Sequence, residues 1–208
     1  MMFTDKNILA IGAHPDDIEY AIFGTLMKAR PKCRLYCYIA TVGGQNDKTS
    51  SRQRMDESNK ALDLLEPIKI HWTTNVGLKV TDYPYLVSLI EEIIAKYKIN
   101  LVLTHTKHDT HQDHRLLSQA TVTAMRRSNA SLLFYDALSR DMNFNPDLFV
   151  DITEFFELKK ELLTKHESQK EKFYMSEEFI EKWNSNPYPY LHAHMRYSES
   201  FEIGRMFF

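Results

Sequence analysis

The chain has 208 residues, enough to bury a sizeable core within one domain. Its 26 lysines and arginines nearly cancel its 28 aspartates and glutamates, which excludes the broad electrostatic footprint that draws a protein onto nucleic acid or anionic lipid. No apolar run approaches the ~20 residues needed to cross a bilayer, so no membrane span is expected and function has to be sought in a local site.

The N-terminus turns acidic where a signal peptide would present its cleavage site, and the expected location is cytoplasmic. Asn7–Ala13 is a nearly unbroken apolar run, the pattern of a parallel strand covered on both faces. From Ile18 the residues Ala21, Ile22, Leu26 and Ala29 recur at helical spacing, and Pro31 marks the exit. Arg34–Val42 reads as the second strand. Cys33 and Cys37 are four steps apart in this stretch, roughly 13 Å, which is too far for a disulfide and predicts reduced core residues.

A helix over about Ser51–Leu65, a strand over Ile68–Thr74 and a helix over about Pro84–Lys98 follow, the last with Asp82 or Tyr83 near its cap. Leu101–Thr106 reads as the fourth strand and Arg115–Arg127 as a helix with Leu116, Leu117, Ala120, Ala124 and Met125 on one face. Leu132–Ala137 and Leu148–Ile152 are further strands, and a helix over about Glu154–Glu167 precedes a mixed segment with Trp183 and the turn-forming Asn186–Pro189. Glu199–Phe207 is a strand that could close the sheet. This alternation predicts a single α/β domain over residues 1–208, a Rossmann-like sandwich with a mostly parallel sheet and helices on both faces.

Two clusters carry chemistry. His14-Pro15-Asp16-Asp17 falls where the first strand ends, the edge at which open α/β sheets bind ligands. One imidazole and two carboxylates in four residues can supply a metal with nitrogen and oxygen ligands and leave a carboxylate free to take a proton. A strand-to-helix turn with an aspartate cap uses the same residues. The second cluster, His105 to His114, holds four of the nine histidines with Asp109 and Asp113 directly after the fourth strand. A polar loop would explain one such histidine, but the expectation that both clusters share one rim favours a metal centre. A catalytic zinc takes three protein ligands, so some of these histidines must do something else.

The clusters resemble the paired signatures of the LmbE-like (PIG-L) deacetylases: AHPDD followed by an acidic residue, here Ala13–Glu19, and a loop ending in H-x-D-H, here His111–His114. Asp151–Gln169, with a lysine in the helix and H-x-S-Q at its end, is similar to a third family stretch, and Tyr197–Phe201 resembles its closing Glu-x-Phe. The resemblance implies a zinc-dependent hydrolase that removes an N-acetyl group from an amino sugar or an N-acetylglucosamine-type conjugate. It implies that His14, Asp17 and His114 bind zinc and that Asp16 is the general base. His111 would stabilise the oxyanion as a charged imidazole, with Asp113 orienting it. Arg54, three residues before Glu57, matches the family's Arg-x-x-Glu and could contact sugar hydroxyls or simply pair along its helix. Lys159 and Gln169 read as structural.

The chain departs from the pattern at Ala21–Thr25, where Phe23 replaces a glycine, and at Gly43-Gly44-Gln45, where many members carry an acidic residue. Loops over about Gly43–Ser51, Thr74–Tyr83 and Trp183–Tyr190 are expected to build the surface for the rest of the substrate. A zinc amidase acting on a sugar-thiol conjugate, a two-metal phosphodiesterase and a non-catalytic domain stapled by a metal stay open beside the deacetylase, and a homo-oligomer is compatible with the sequence.

Overall fold

Residues of alternate parity along the first strand enter two different cores. Ile8 and Ala10 join one cluster of buried side chains, Leu9 and Ile11 another. Both faces are covered, which is why the run is apolar throughout. The computed structural model describes residues 3–43, 48–72, 75–190 and 192–207.

Among them are strands β1 (Asn7–Gly12), β2 (Arg34–Ile39), β3 (Ile68–Trp72), β4 (Leu101–His105), β5 (Ser131–Tyr135), β6 (Leu148–Asp151) and β7 (Ser198–Arg205). They form one sheet in the order β3-β2-β1-β4-β5-β7-β6. The first five run parallel, and β7 lies antiparallel to both β5 and β6. The C-terminal strand therefore sits inside the sheet, with β6 as the edge. The helices are α1 (Asp17–Ala29), α2 (Lys48–Asp63), α3 (Tyr83–Lys96), α4 (Gln112–Ala124), α5 (Phe156–Thr164) and α6 (Glu177–Asn184). Side chains of α1, α2, α5 and α6 fill the core with Ile8, and those of α3 and α4 fill the core with Leu9. This is the single α/β domain with a mostly parallel sheet that the alternation of elements predicts.

Several boundaries differ from the expected ones for local reasons. The helix expected over 154–167 is shorter because single 3-10 turns, Thr153–Phe155 and Glu167–Gln169, flank α5. Helix α6 falls in the segment expected to be mixed. Its cap is Ser176, which accepts from the Phe179 N–H, and Ile180 and Asn184 are its buried residues. Residues 73–74 of the expected third strand lie outside the described ones.

The remote motif pieces meet in one buried cluster. Glu199 on β7 accepts from the Gly24 and Thr25 backbone N–H groups at 2.9 and 2.7 Å, and from Lys159 Nζ on α5 at 2.7 Å. Lys159 also donates to Asn184 of α6 at 2.8 Å. A side chain at position 24 would stand 2.7 Å from Ile152, so only glycine lets α1 pack here. Phe23 is fully buried in the core on this side of the sheet and does not line the functional cleft. Cys33 and Cys37 are both free, Cys37 buried and Cys33 partly so.

Candidate active site

The order of the sheet puts β1 beside β4 while the chain winds from β1 to β2 on the other side, so the switch in direction lies between β1 and β4. A crevice opens at the carboxyl ends of such a pair. Both sequence clusters leave the sheet there. After Gly12 the chain turns into α1 through Asp16, whose φ of 99° is left-handed without a glycine to ease it. The turn brings Asp17 Oδ2 to the Ala13 and His14 backbone N–H groups, which donate to it at 2.9 and 2.8 Å. His105 Nε2, at the end of β4, lies 3.1 Å from the same oxygen. The two backbone donors on Oδ2 leave Oδ1 as the freer oxygen, and Oδ1 is the one nearest His114 Nε2, at 3.6 Å.

On the other rim His111 caps α4. Its Nδ1 accepts from the Asp113 backbone N–H at 3.2 Å, which turns the other nitrogen away from the helix. One turn on, His114 Nδ1 meets Asp109 Oδ2 at 2.9 Å, and its Nε2 faces His14 Nδ1 at 3.3 Å. His105, His114 and His111 stack, with ring centroids 3.8 and 4.6 Å apart. His108 is turned aside, its nearest acidic partner being Asp141 at 3.9 Å.

Two overlapping trios could hold a metal ion, His14–His111–His114 and Asp17–His105–His114. Their shared ground is a third set: His14 Nδ1 is 3.3 Å from His114 Nε2 and 3.5 Å from Asp17 Oδ2, and His114 Nε2 is 3.6 Å from Asp17 Oδ1. Four ligands at about 2.0–2.1 Å around a tetrahedral ion stand about 3.3–3.4 Å apart, which the His14–His114 separation matches and the two to Asp17, each measured to a different carboxylate oxygen, approach. His105, the third member of the second trio, sits deeper than His14. It is fully buried and its Nε2 is already engaged by Asp17, whereas the His14 side chain faces the cleft and is 13% exposed.

The carboxylate beside this set is Asp16, which Arg54 of α2 reaches with Nη2 at 2.9 Å while also donating to the Pro15 carbonyl at 3.1 Å. Gly43, at φ 60°, makes room for the guanidinium, since a Cβ there would lie 2.6 Å from Arg54 Nη1. Glu57, one turn beyond Arg54, accepts from the Ser168 N–H at 3.1 Å and ties α2 to the H-x-S-Q turn. Gly44 and Gln45 lie outside the described residues. The cleft over the site measures about 870 Å³ and is lined by His14, Asp16, Asp17, Arg54, His111, Asp113 and His114, with Tyr20, Gln169, Lys172 and Tyr174 on one wall. A larger groove of about 1010 Å³ runs between α2 and α5 and contains none of the metal-binding candidates.

The six residues expected at the centre are thus brought together, and Arg54 with them, but one contact differs from expectation. The Asp113 carboxylate meets His14 Nε2 at 3.0 Å and touches His111 only through its backbone. Burial, together with the charges of His14 and His114, holds the His111 imidazole below its usual pKa. With Nδ1 accepting from the Asp113 N–H, Nε2 is the His111 nitrogen left to donate into the cleft. Burial works against charge on His14 as well, yet hydrogen bonds from its imidazole to Asp113 and Asp17 outweigh it and hold the ring up at about 10. For Asp17, burial is outweighed by the charges of His114 and His105, and its carboxyl is held well below the usual range. Burial pushes His105 down to about 4. The supporting parts played by His105 and Asp109 were present in the sequence as members of the histidine cluster, but nothing in the spacing marked them as the buried pair.

Residues 9–125, more than half the chain, match the PIG-L family, described as GlcNAc-PI de-N-acetylase. The chain belongs to this family. It is 31% identical over 173 residues to the uncharacterized deacetylase YaiS of Escherichia coli K12, covering 78% of this chain and 91% of that one. It is 24% identical over 202 residues to the probable N-acetyl-alpha-D-glucosaminyl L-malate deacetylase 2 of Bacillus subtilis 168, covering 87% and 90%. A zinc-inhibited form of the teicoplanin deacetylase Orf2 shares the fold at a TM-score of 0.75 with 17% identity, over 94% of this chain and 96% of that one. Membership makes the PIG-L chain a hydrolytic N-deacetylase, and the structure gives it a His/Asp site able to hold a metal. Among its described residues no helix is long and apolar enough to cross a membrane.

Proposed function

We propose that the chain is a zinc-dependent deacetylase acting on an N-acetylglucosamine-type sugar conjugate. The observation that carries the proposal is the convergence of His14 Nδ1, Asp17 and His114 Nε2 at tetrahedral-edge spacing beside a carboxylate, Asp16, that is not part of the set. These three residues would hold the ion. Zinc supplies Lewis-acid activation of water and of the acetyl carbonyl.

The protein's own groups do the rest. Asp16, fixed by Arg54, takes the proton of the attacking water. The Nε2–H of His111 donates to the acetyl oxygen as it gains charge, and such a preorganised donor typically contributes on the order of a hundredfold in rate. Asp16, having taken a proton from the water, returns it to the departing amine. Asp113 holds His14 through Nε2 so that Nδ1 faces the other two ligands. The sugar class is supported by the GlcNAc description of the family and by the N-acetylglucosaminyl substrate in the name of the Bacillus subtilis relative. A closed structural metal would need a fourth protein ligand, whereas His14 faces the cleft, Cys33 precedes β2 and Cys37 is buried within it.

The test is acetate release from a panel of N-acetylglucosamine conjugates, including malate and thiol-bearing aglycones, by metal-stripped protein with and without added zinc. Zinc-dependent release from at least one conjugate is expected. Stoichiometric zinc uptake with no acetate from any conjugate would overturn the proposed substrate class.

A further inference from the structure

Asp109 is 3% exposed and its carboxylate is fully engaged. Oδ2 lies 2.9 Å from His114 Nδ1, while Oδ1 accepts from the His111 N–H and from Ser139 Oγ, each at 2.7 Å. Its carbonyl accepts from Arg115 Nη1 at 2.8 Å. Ser139 comes from the loop after β5, which is laced to the histidine loop by Thr110 N–H to the Ser139 carbonyl at 2.8 Å and by an antiparallel bridge between Asp109 and Arg140. Ser139 Oγ is also 3.2 Å from His114 Nδ1.

For a neutral His114 ring, as a metal ligand must be, the surrounding donors and acceptors admit one arrangement. A bare Nδ1 would set its lone pair against a carboxylate oxygen at 2.9 Å, which is repulsive. An Nδ1–H donates to that oxygen, with Ser139 Oγ as a second acceptor, and the Ser139 hydroxyl proton is then free for Asp109 Oδ1. The lone pair is left on Nε2, which faces His14 Nδ1 and Asp17. Carboxylates placed behind metal-binding imidazoles in this way fix the tautomer and raise basicity, and their loss typically costs about 10–100-fold in metal affinity.

We propose that Asp109, braced by Ser139, is a positioning residue that presents the Nε2 lone pair of His114 to the metal. The inference rests on the proposal that His14, Asp17 and His114 bind zinc. Competition with a chromophoric chelator, using zinc alone as the probe, should give a dissociation constant about 10–100-fold weaker for Asp109→Asn and several-fold weaker for Ser139→Ala. In the zinc-loaded wild type, proton–nitrogen correlation spectra should show a strongly deshielded Nδ1–H on His114, and Asp109→Asn should shift it upfield. Should Asp109→Asn fold poorly, Ser139→Ala carries the same test on a side chain that is only partly buried. Unchanged zinc affinity and an unmoved Nδ1–H signal in the variants, with tight binding by the wild type, would overturn this inference alone. A wild type that takes up no zinc would instead overturn the ligand set and this inference with it.

Discussion

Arg54 shows how far a side chain's role depends on its partner. It lines the cleft, where it could meet sugar hydroxyls, but its Nη2 is held by Asp16 and the Pro15 carbonyl. If its main task is to aim the base, Arg54→Ala lowers kcat about 10–100-fold, the cost of a misplaced reacting group, and leaves KM for the sugar little changed. A raised KM at unchanged kcat would return Arg54 to substrate binding. Gly43→Ala should lower kcat in the same direction and less steeply, because its Cβ displaces the guanidinium and its left-handed backbone costs about 1–2 kcal/mol. Asp16→Ala should keep its zinc and lose about a hundredfold to ten-thousandfold in turnover, whereas His14→Ala should lose zinc as well. Metal analysis alongside steady-state kinetics separates these outcomes. His14, Asp16, Asp17, His111 and His114 were legible because two short motifs fix them. The partner of Asp113 was not, since the choice between His14 and His111 depends on how two loops 99 residues apart come to lie against each other.

Between elements the clearest dependence is the Lys159–Glu199 pair, both of whose side chains are essentially fully buried. It joins α5 to β7 and, through the Gly24 and Thr25 N–H groups and Asn184, to α1 and α6. Lys159→Met would leave the Glu199 carboxylate buried without its cation, a loss of about 3–5 kcal/mol. In a chain of this length that corresponds to a fall in Tm of roughly 10 °C. Replacing both partners, as in Lys159→Met with Glu199→Gln, should recover part of it. Chemical denaturation measures both, and a loss below about 1 kcal/mol for the single variant would contradict the bracing role. Among the described residues all seven strands and five helices were legible, since parallel strands buried on two faces and helices with one apolar face leave strong periodic signals. Helix α6 was not: it is eight residues long, with Ile180 and Asn184 as its buried residues, too few turns to repeat a pattern. The inward place of β7 was equally hidden, because strand order follows from packing between distant segments.

Across the whole molecule the parallel sheet delivers its chemistry to one rim, and Glu19 is where that concentration has a thermodynamic consequence. Glu19 is fully buried on α1 two residues beyond Asp17, with His166 Nε2 3.9 Å away and neither carboxyl oxygen in a well-formed hydrogen bond. Burial pushes its pKa from 4.5 up to about 8, and the nearby Ser58 hydroxyl only partly opposes this. Between pH 4.5 and about 8 the unfolded chain has released a proton that the folded chain still holds. Fewer protons bound in the unfolded state make stability fall with rising pH, by about 1.4 kcal/mol per unit for one group. Below 4.5 both states are protonated, and above 8 both are ionised, so the contribution of this group is flat outside the window. Glu19→Gln keeps the shape and removes the titration. In metal-stripped protein, where no divalent cation favours the carboxylate, urea unfolding of the wild type should weaken from pH 5.5 to 7.5 more steeply than that of Glu19→Gln, the curves diverging by about 1–3 kcal/mol. Parallel curves over that range would mean that Glu19 ionises in the folded state as it does in the unfolded one, and that the helix carrying Asp17 holds a buried charge the surrounding side chains already compensate.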